Sequence, residues 1–113
     1  MERVVFVYTT YPALVEAERA GRLLVERGLA ACVNILPGMI SCYRWEGQIE
    51  RGEEVVMIIK TRASLTETVR CTVKENHSYK TPAIIMLPTD GGDPEYVEWI
   101  LEHTARAASS AAQ

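Results

Sequence analysis

Few side chains in this chain of 113 residues have chemistry to offer: two histidines, three cysteines, and a lysine and a tyrosine in suggestive places. The imidazole of His77 suits copper or zinc as a ligand. A single nitrogen donor binds weakly without partners, and the alternative is a histidine placed favourably against the negative end of a helix. Lys60 and Tyr79 offer a point charge and a stacking surface to a small organic anion; pairing of Lys60 with a surface carboxylate is the plainer alternative. Cys32, Cys42 and Cys71 are odd in number, and their spacings of 10 and 29 match no zinc-finger or redox motif. They read as reduced thiols in the core, with soft-metal binding by Cys32 or Cys42 as the alternative. Asp90-Gly-Gly-Asp93 lacks the ligand spacing and closing glutamate of a calcium loop and reads as a turn with a helix N-cap. There is no glycine-rich phosphate loop and no serine or cysteine in a nucleophile motif. His103 lies close to an Ala/Ser-rich tail and makes a poor catalytic base. The pattern is that of a binding protein and not of an enzyme.

The elements that must position these groups can be read in order. Val4 to Tyr8 is a continuous apolar run, as expected of a strand buried on both faces at the centre of a sheet. Ala13, Ala17, Ala20 and Leu24 recur at helical spacing, and small residues allow close approach to a sheet; Gly28 ends that helix. From Ala30 to Lys60 run two long strands joined near Trp45, Glu46 and Gly47. At roughly 3.3 Å per residue each arm spans about 40 to 45 Å, longer than the diameter of about 30 to 35 Å of a compact chain of this length. Pro37-Gly38 predicts a bulge or bend. Tyr43, Trp45 and Glu46 at the tip combine large contact area with polar atoms, which favours a contact between subunits over an exposed ligand site.

Ser64 and Glu67 form a capping-box pattern ahead of a helix carrying Leu65, Val69 and Val73 and ending near His77. Ala83 to Leu87 is the last strand. Asp93-Pro94 starts a helix whose face is Tyr96, Val97, Ile100 and Leu101. The order predicts an α+β, ferredoxin-like βαββαβ sandwich with an extended β2-β3 hairpin and a C-terminal helix. One folded domain is expected over residues 1–104, with residues 105–113 a frayed tail. Such a sheet leaves one face without helices, although its strands are apolar there, so another subunit is the expected cover.

Composition sets the outer limits. With 48% hydrophobic and 24% charged residues the chain has the make-up of an ordinary globular protein. A net charge of −3 and no basic cluster argue against nucleic acid as a partner. No run of 18 apolar residues is present, so no membrane span is expected, and the absence of signal-peptide features points to the cytoplasm.

Four segments, Ala30-Ala-Cys-Val-Asn-Ile-Leu-Pro-Gly38, Tyr43-Arg-Trp-Glu-Gly47, Ile59-Lys-Thr61 and His77-Ser-Tyr-Lys-Thr-Pro82, resemble the CutA divalent-cation tolerance family in type, order and spacing, across about Val4 to Leu101. The resemblance implies a tight homotrimer, similar to the PII signalling proteins, with sheets packed inward and hairpins paired with neighbours. It implies a non-enzymatic role in the response to copper and other divalent metal ions, with no obligatory cofactor and with copper or another divalent ion as a ligand at His77. The alternative is a PII-like sensor holding an organic anion between subunits, near Lys60 and Tyr79. The chain departs from the family pattern at Ser78 and Ala83, which stand in place of proline and glutamate. Of the copper ligands proposed in some members only His77 is present, since Asn76 and Tyr8 occupy the positions of a second histidine and a cysteine.

Overall fold

The computed structural model describes residues 2–111. Eight elements follow one another: β1 (Val4–Tyr11), α1 (Leu14–Glu26), β2 (Cys32–Trp45), β3 (Gln48–Arg62), a 3-10 turn (Ala63–Leu65), α2 (Thr66–Glu75), β4 (Ile84–Pro88) and α3 (Pro94–Ala111). The sheet order is β2-β3-β1-β4, and every neighbouring pair is antiparallel. The ferredoxin-like architecture follows, with β1 central as its unbroken apolar run requires.

Strand alternation divides the side chains between two faces. Val7 and Tyr11 of β1 and Val55, Met57 and Ile59 of β3 meet Ala17, Ala20, Leu24, Leu65, Val69 and Val73 from the helices in the main core. The small face of α1 lets the helix sit close: a Cβ on Gly21 would stand 2.7 Å from Val33 Cγ2. Ala13, expected on that face, is instead the exposed N-cap residue.

The opposite face is only partly open. Val97, Ile100 and Leu101 of α3 pack on Val4, Phe6 and Ala31, so the C-terminal helix covers one end of that face. Arg62 clamps the arrangement: its guanidinium donates to Thr104 Oγ1 at 2.8 Å and to the Leu101 carbonyl. The rest of the face exposes Leu36, Ile85 and Leu87.

Three local expectations are revised. The capping box at Ser64 and Glu67 does not form; the Ser64 backbone N–H donates to the Glu2 carboxylate, while Glu67 turns to Arg70. A carboxylate from the other end of the chain, also paired with Arg62, thus replaces the local cap. Helix α3 continues through Ala105 to Ala111, where fraying was expected. Alanine is the best helix former, and Ala107 and Ala108 rest on the main core; Ala112 and Gln113 lie outside the described residues. The cysteines are not core residues: Cys42 is exposed on the hairpin, and Cys32 and Cys71 are half-buried.

The hairpin bends where proline and glycine predict. Pairing shifts between Leu36 and Met39, and Gly38 takes φ 83°. Beyond the shift the two strands continue to a two-residue turn in which Glu46 and Gly47 both have positive φ, the turn that matches strand twist. The molecule is 46 Å long against 27 and 22 Å across.

Candidate functional site

Side chains with polar chemistry gather at the root of the hairpin, where β1 ends and the chain between α2 and β4 crosses. Asn76 closes α2, its Nδ2 donating to the Thr72 carbonyl at 2.8 Å, and the next residue, His77, turns its ring inward. The His77 side chain is fully buried and stacks on Tyr11 at 4.3 Å between centroids, with the planes 12° apart. Its Nε2 lies 2.7 Å from the Thr10 carbonyl, and its Nδ1 accepts from the Tyr79 backbone N–H at 3.0 Å. A carbonyl only accepts, so the proton sits on Nε2 and the lone pair on Nδ1. Both ring nitrogens are therefore engaged by backbone.

Two carboxylates hold the same stretch of chain. Glu16 of α1 accepts from the Ser78 backbone N–H at 2.9 Å and from Ser78 Oγ at 2.8 Å, and lies 3.8 Å from His77 Nδ1. Glu54 of β3 accepts from Ser41 Oγ at 2.7 Å and from the Tyr79 hydroxyl at 3.0 Å. Tyr8 adds a contact from its hydroxyl to Met39 Sδ at 3.6 Å. Through these bonds α1, β1, the chain after α2 and the first residues of the projecting hairpin form one polar strut. Burial, then the Glu54 hydrogen bond, pushes the Tyr79 phenol up to about 12. Burial also raises Tyr11, whose hydroxyl is enclosed without a hydrogen-bond partner among the described residues, as is the Thr9 hydroxyl.

Lys60 belongs to a different neighbourhood. Six residues separate it from Glu54 along β3, about 20 Å, so within one subunit Lys60 and Tyr79 do not line a common site. Its ammonium donates to the Tyr96 hydroxyl at 2.7 Å and lies 5.6 Å from the Phe6 ring centroid. The Tyr96 bond is the leading reason its pKa is raised. Tyr43, Trp45 and Glu46 are all exposed at the hairpin end; Trp45 is 63% accessible. No group of three or more His, Cys, Asp or Glu residues is placed to hold a metal ion among the described residues.

Glu16, Ser41 and Glu54 were missed as partners of the strut by sequence reasoning. Each looks like a solvated surface residue in its own element, and only the sheet register and the path after α2 bring them together. The sole local signal was the concentration of polar and aromatic residues in His77-Ser-Tyr79.

Comparison with known proteins supplies an independent view of this architecture. The family model described as CutA1 divalent ion tolerance protein matches residues 5–103. The divalent-cation tolerance protein CutA of Archaeoglobus fulgidus is 48% identical over 97 residues, covering 86% of this chain and 94% of that protein. The chloroplastic protein CutA of Arabidopsis thaliana is 42% identical over 100 residues; the match covers 88% of this chain but only 55% of the plant protein's length. Among solved structures, CutA1 from Oryza sativa superposes with a TM-score of 0.88 at 41% identity, covering 91% of this chain and 94% of that one. The structure described as the periplasmic divalent cation tolerance protein CutA of Archaeoglobus fulgidus gives 0.85 at 46% identity, covering 89% and 98%. No described helix is long and apolar enough to cross a membrane.

Proposed function

The chain belongs to the CutA1 divalent ion tolerance family, and on that premise we propose that it acts as a homotrimeric, non-enzymatic divalent-cation tolerance protein in the cytoplasm. The observation that carries the assembly is the apolar surface left on the sheet and along the hairpin. Leu36, Ile85 and Leu87 on the sheet, with Ile40, Trp45 and Ile49 on the hairpin, are 43% to 63% accessible. The total accessible surface of 7195 Å² exceeds the about 6,200 Å² usual for a folded monomer of this mass. The excess is of the size that a stable association would cover. The stoichiometry of three is the expectation the family resemblance carries.

His77 reads as a structural pin and not as a copper ligand. Copper or zinc would need one of two ring nitrogens that are already hydrogen-bonded to backbone, and although the Glu16 carboxylate lies 3.8 Å from Nδ1, no third donor completes a metal site among the described residues. The metal response is accordingly assigned to the assembled molecule and not to a centre inside one chain. Tyr43, Trp45 and Glu46 are assigned to contacts between subunits, where the aromatic rings would lose the exposure they have in a single chain.

Light scattering coupled to size exclusion tests the reading. The expected mass is about three times the 12.6 kDa subunit, and deletion of residues 41–50 should lower it while leaving the helix signal of the subunit in place. A stable monomer from the intact chain, or an unchanged trimer from the shortened one, would refute it.

A further inference from the structure

We propose that a cleft on the helical side, bounded by the end of α1, by α2 and by the second half of α3, binds a small phosphate-bearing anion through Arg27 and Arg106. The left-handed Gly28, φ 69°, closes α1 and lets α3 cross directly over it: a Cβ on Gly28 would stand 3.8 Å from Ala107 Cβ and 3.9 Å from the His103 carbonyl. Beside this crossing lies a cleft of about 800 Å³, whose polar lining includes Arg27, Thr68, His103, Arg106 and Ser110. That volume suits a small metabolite.

The charge of the cleft runs against that of the chain. The protein carries −3 overall, yet the cleft holds two guanidiniums and one carboxylate, Glu26, which is already paired with Arg22 at 2.8 Å. Among the described residues neither Arg27 nor Arg106 has a carboxylate within 4 Å, a state they share with Arg3, Arg19 and Arg44, while Arg22, Arg51, Arg62 and Arg70 are paired. Thr68 and Ser110 add hydroxyls that make no side-chain hydrogen bond among the described residues, while Thr72 is committed to the Thr68 carbonyl. His103 is held through Nδ1 by the Trp99 carbonyl at 2.9 Å, leaving Nε2 as its free ring nitrogen. Guanidinium forks match phosphate oxygens in pairs and keep their charge at any working pH. All of these residues come from one chain, on the helical side and away from the exposed sheet face.

Calorimetric titration of the full chain with inorganic pyrophosphate, at low ionic strength and in chelator-treated buffer, tests the assignment. Saturable binding is expected, weakened at least about tenfold by the double substitution Arg27→Ala/Arg106→Ala, equivalent to about 1.4 kcal/mol. Arg19→Ala removes the same charge from α1 outside the cleft and should change affinity by less than about twofold. Thr68→Glu, a single carboxylate placed in the lining on an exposed helix position, should also abolish binding and guards against misfolding of the double variant. No saturable binding up to about 10 mM, an equal loss in Arg19→Ala, or full affinity in Thr68→Glu would each overturn the site.

Discussion

Replacing His77 by alanine separates a pin from a metal ligand, and its size can be worked from the bonds described. The substitution leaves the Thr10 carbonyl and the Tyr79 N–H without partners. Each unpaired buried group costs about 1 to 3 kcal/mol, and because the surroundings of both bonds are partly open the lower end applies, about 2 kcal/mol together. Loss of the stack on Tyr11 adds about 0.5 to 1.5 kcal/mol, and the space left by a fully buried ring adds a comparable amount. The sum is about 3 to 5 kcal/mol, a large part of the 5 to 15 kcal/mol typical of a domain. At about 4 °C per kcal/mol, the melting temperature should fall by about 12 to 20 °C when measured at fixed protein concentration, which holds constant any coupling of assembly to unfolding. Calorimetric titration with Cu(II), Cu(I) and Zn(II) on both proteins supplies the second readout. The pin predicts affinities that differ by less than about twofold. A folded His77→Ala protein that keeps its melting temperature but loses about tenfold or more in metal affinity would show that the ring is a ligand after all.

Two further outcomes follow from the same geometry. The Tyr79 phenol, raised to about 12 by burial and by Glu54, is neutral in the folded state beyond its usual range. Its raised pKa contributes stability that is present below about pH 10 and is lost as pH climbs through about 12. Alkaline titration of tyrosinate absorbance should lose a component near pH 12 in Tyr79→Phe, with the later component of the more deeply buried Tyr11 kept; loss of a component near pH 10 instead would contradict the Glu54 bond. For Gly21→Ala, a helix gain of about 1 kcal/mol competes with overpacking of about 1 to 3 kcal/mol against Val33, so denaturant unfolding should show a net loss of about 1 kcal/mol. In a Val33→Ala background the same change should become stabilising, and a stabilised single variant would mean that the helix is not tight on the sheet.

Much of the fold could be read from local pattern because local pattern causes it. The unbroken apolar run of β1, the alanine face of α1, the break at Pro37-Gly38 and the Glu46-Gly47 turn all depend on residues a few positions apart. Asp93 behaves likewise, accepting from the Tyr96 N–H at 3.3 Å. The readings that failed depend on residues remote in sequence. Ser64 carries a good cap signal, but Glu2 reaches it first, because β1 and β3 are paired and Arg62 holds the carboxylate in place. Similarly, the second face of the sheet reads as free of helices until the apolar face of α3 is seen on Val4 and Phe6. The candidate site divided in the same way. His77 stood out by type, but its engagement on both nitrogens depends on Thr10, 67 positions earlier. Lys60 and Tyr79 were linked only by an expected cleft, and six residues of extended strand keep them apart within one chain.

The pairing shift between Leu36 and Met39 also divides the molecule by how its backbone opens. Inward of the shift, β2 and β3 belong to a four-stranded sheet packed on two helices. Outward of it, from Met39 to Glu54, each strand has only the other for a neighbour, and an isolated two-stranded ribbon is marginally stable in water. Amide hydrogens there should exchange through small local openings while those of β1 wait for global unfolding. If the chain assembles as proposed, the exchange rate of the ribbon becomes an internal gauge of whether neighbouring chains are in place: slow when they clasp it, fast once they leave. One chain thus reports its own company through some fifteen amides, with no label attached and without any change in the fold that holds them.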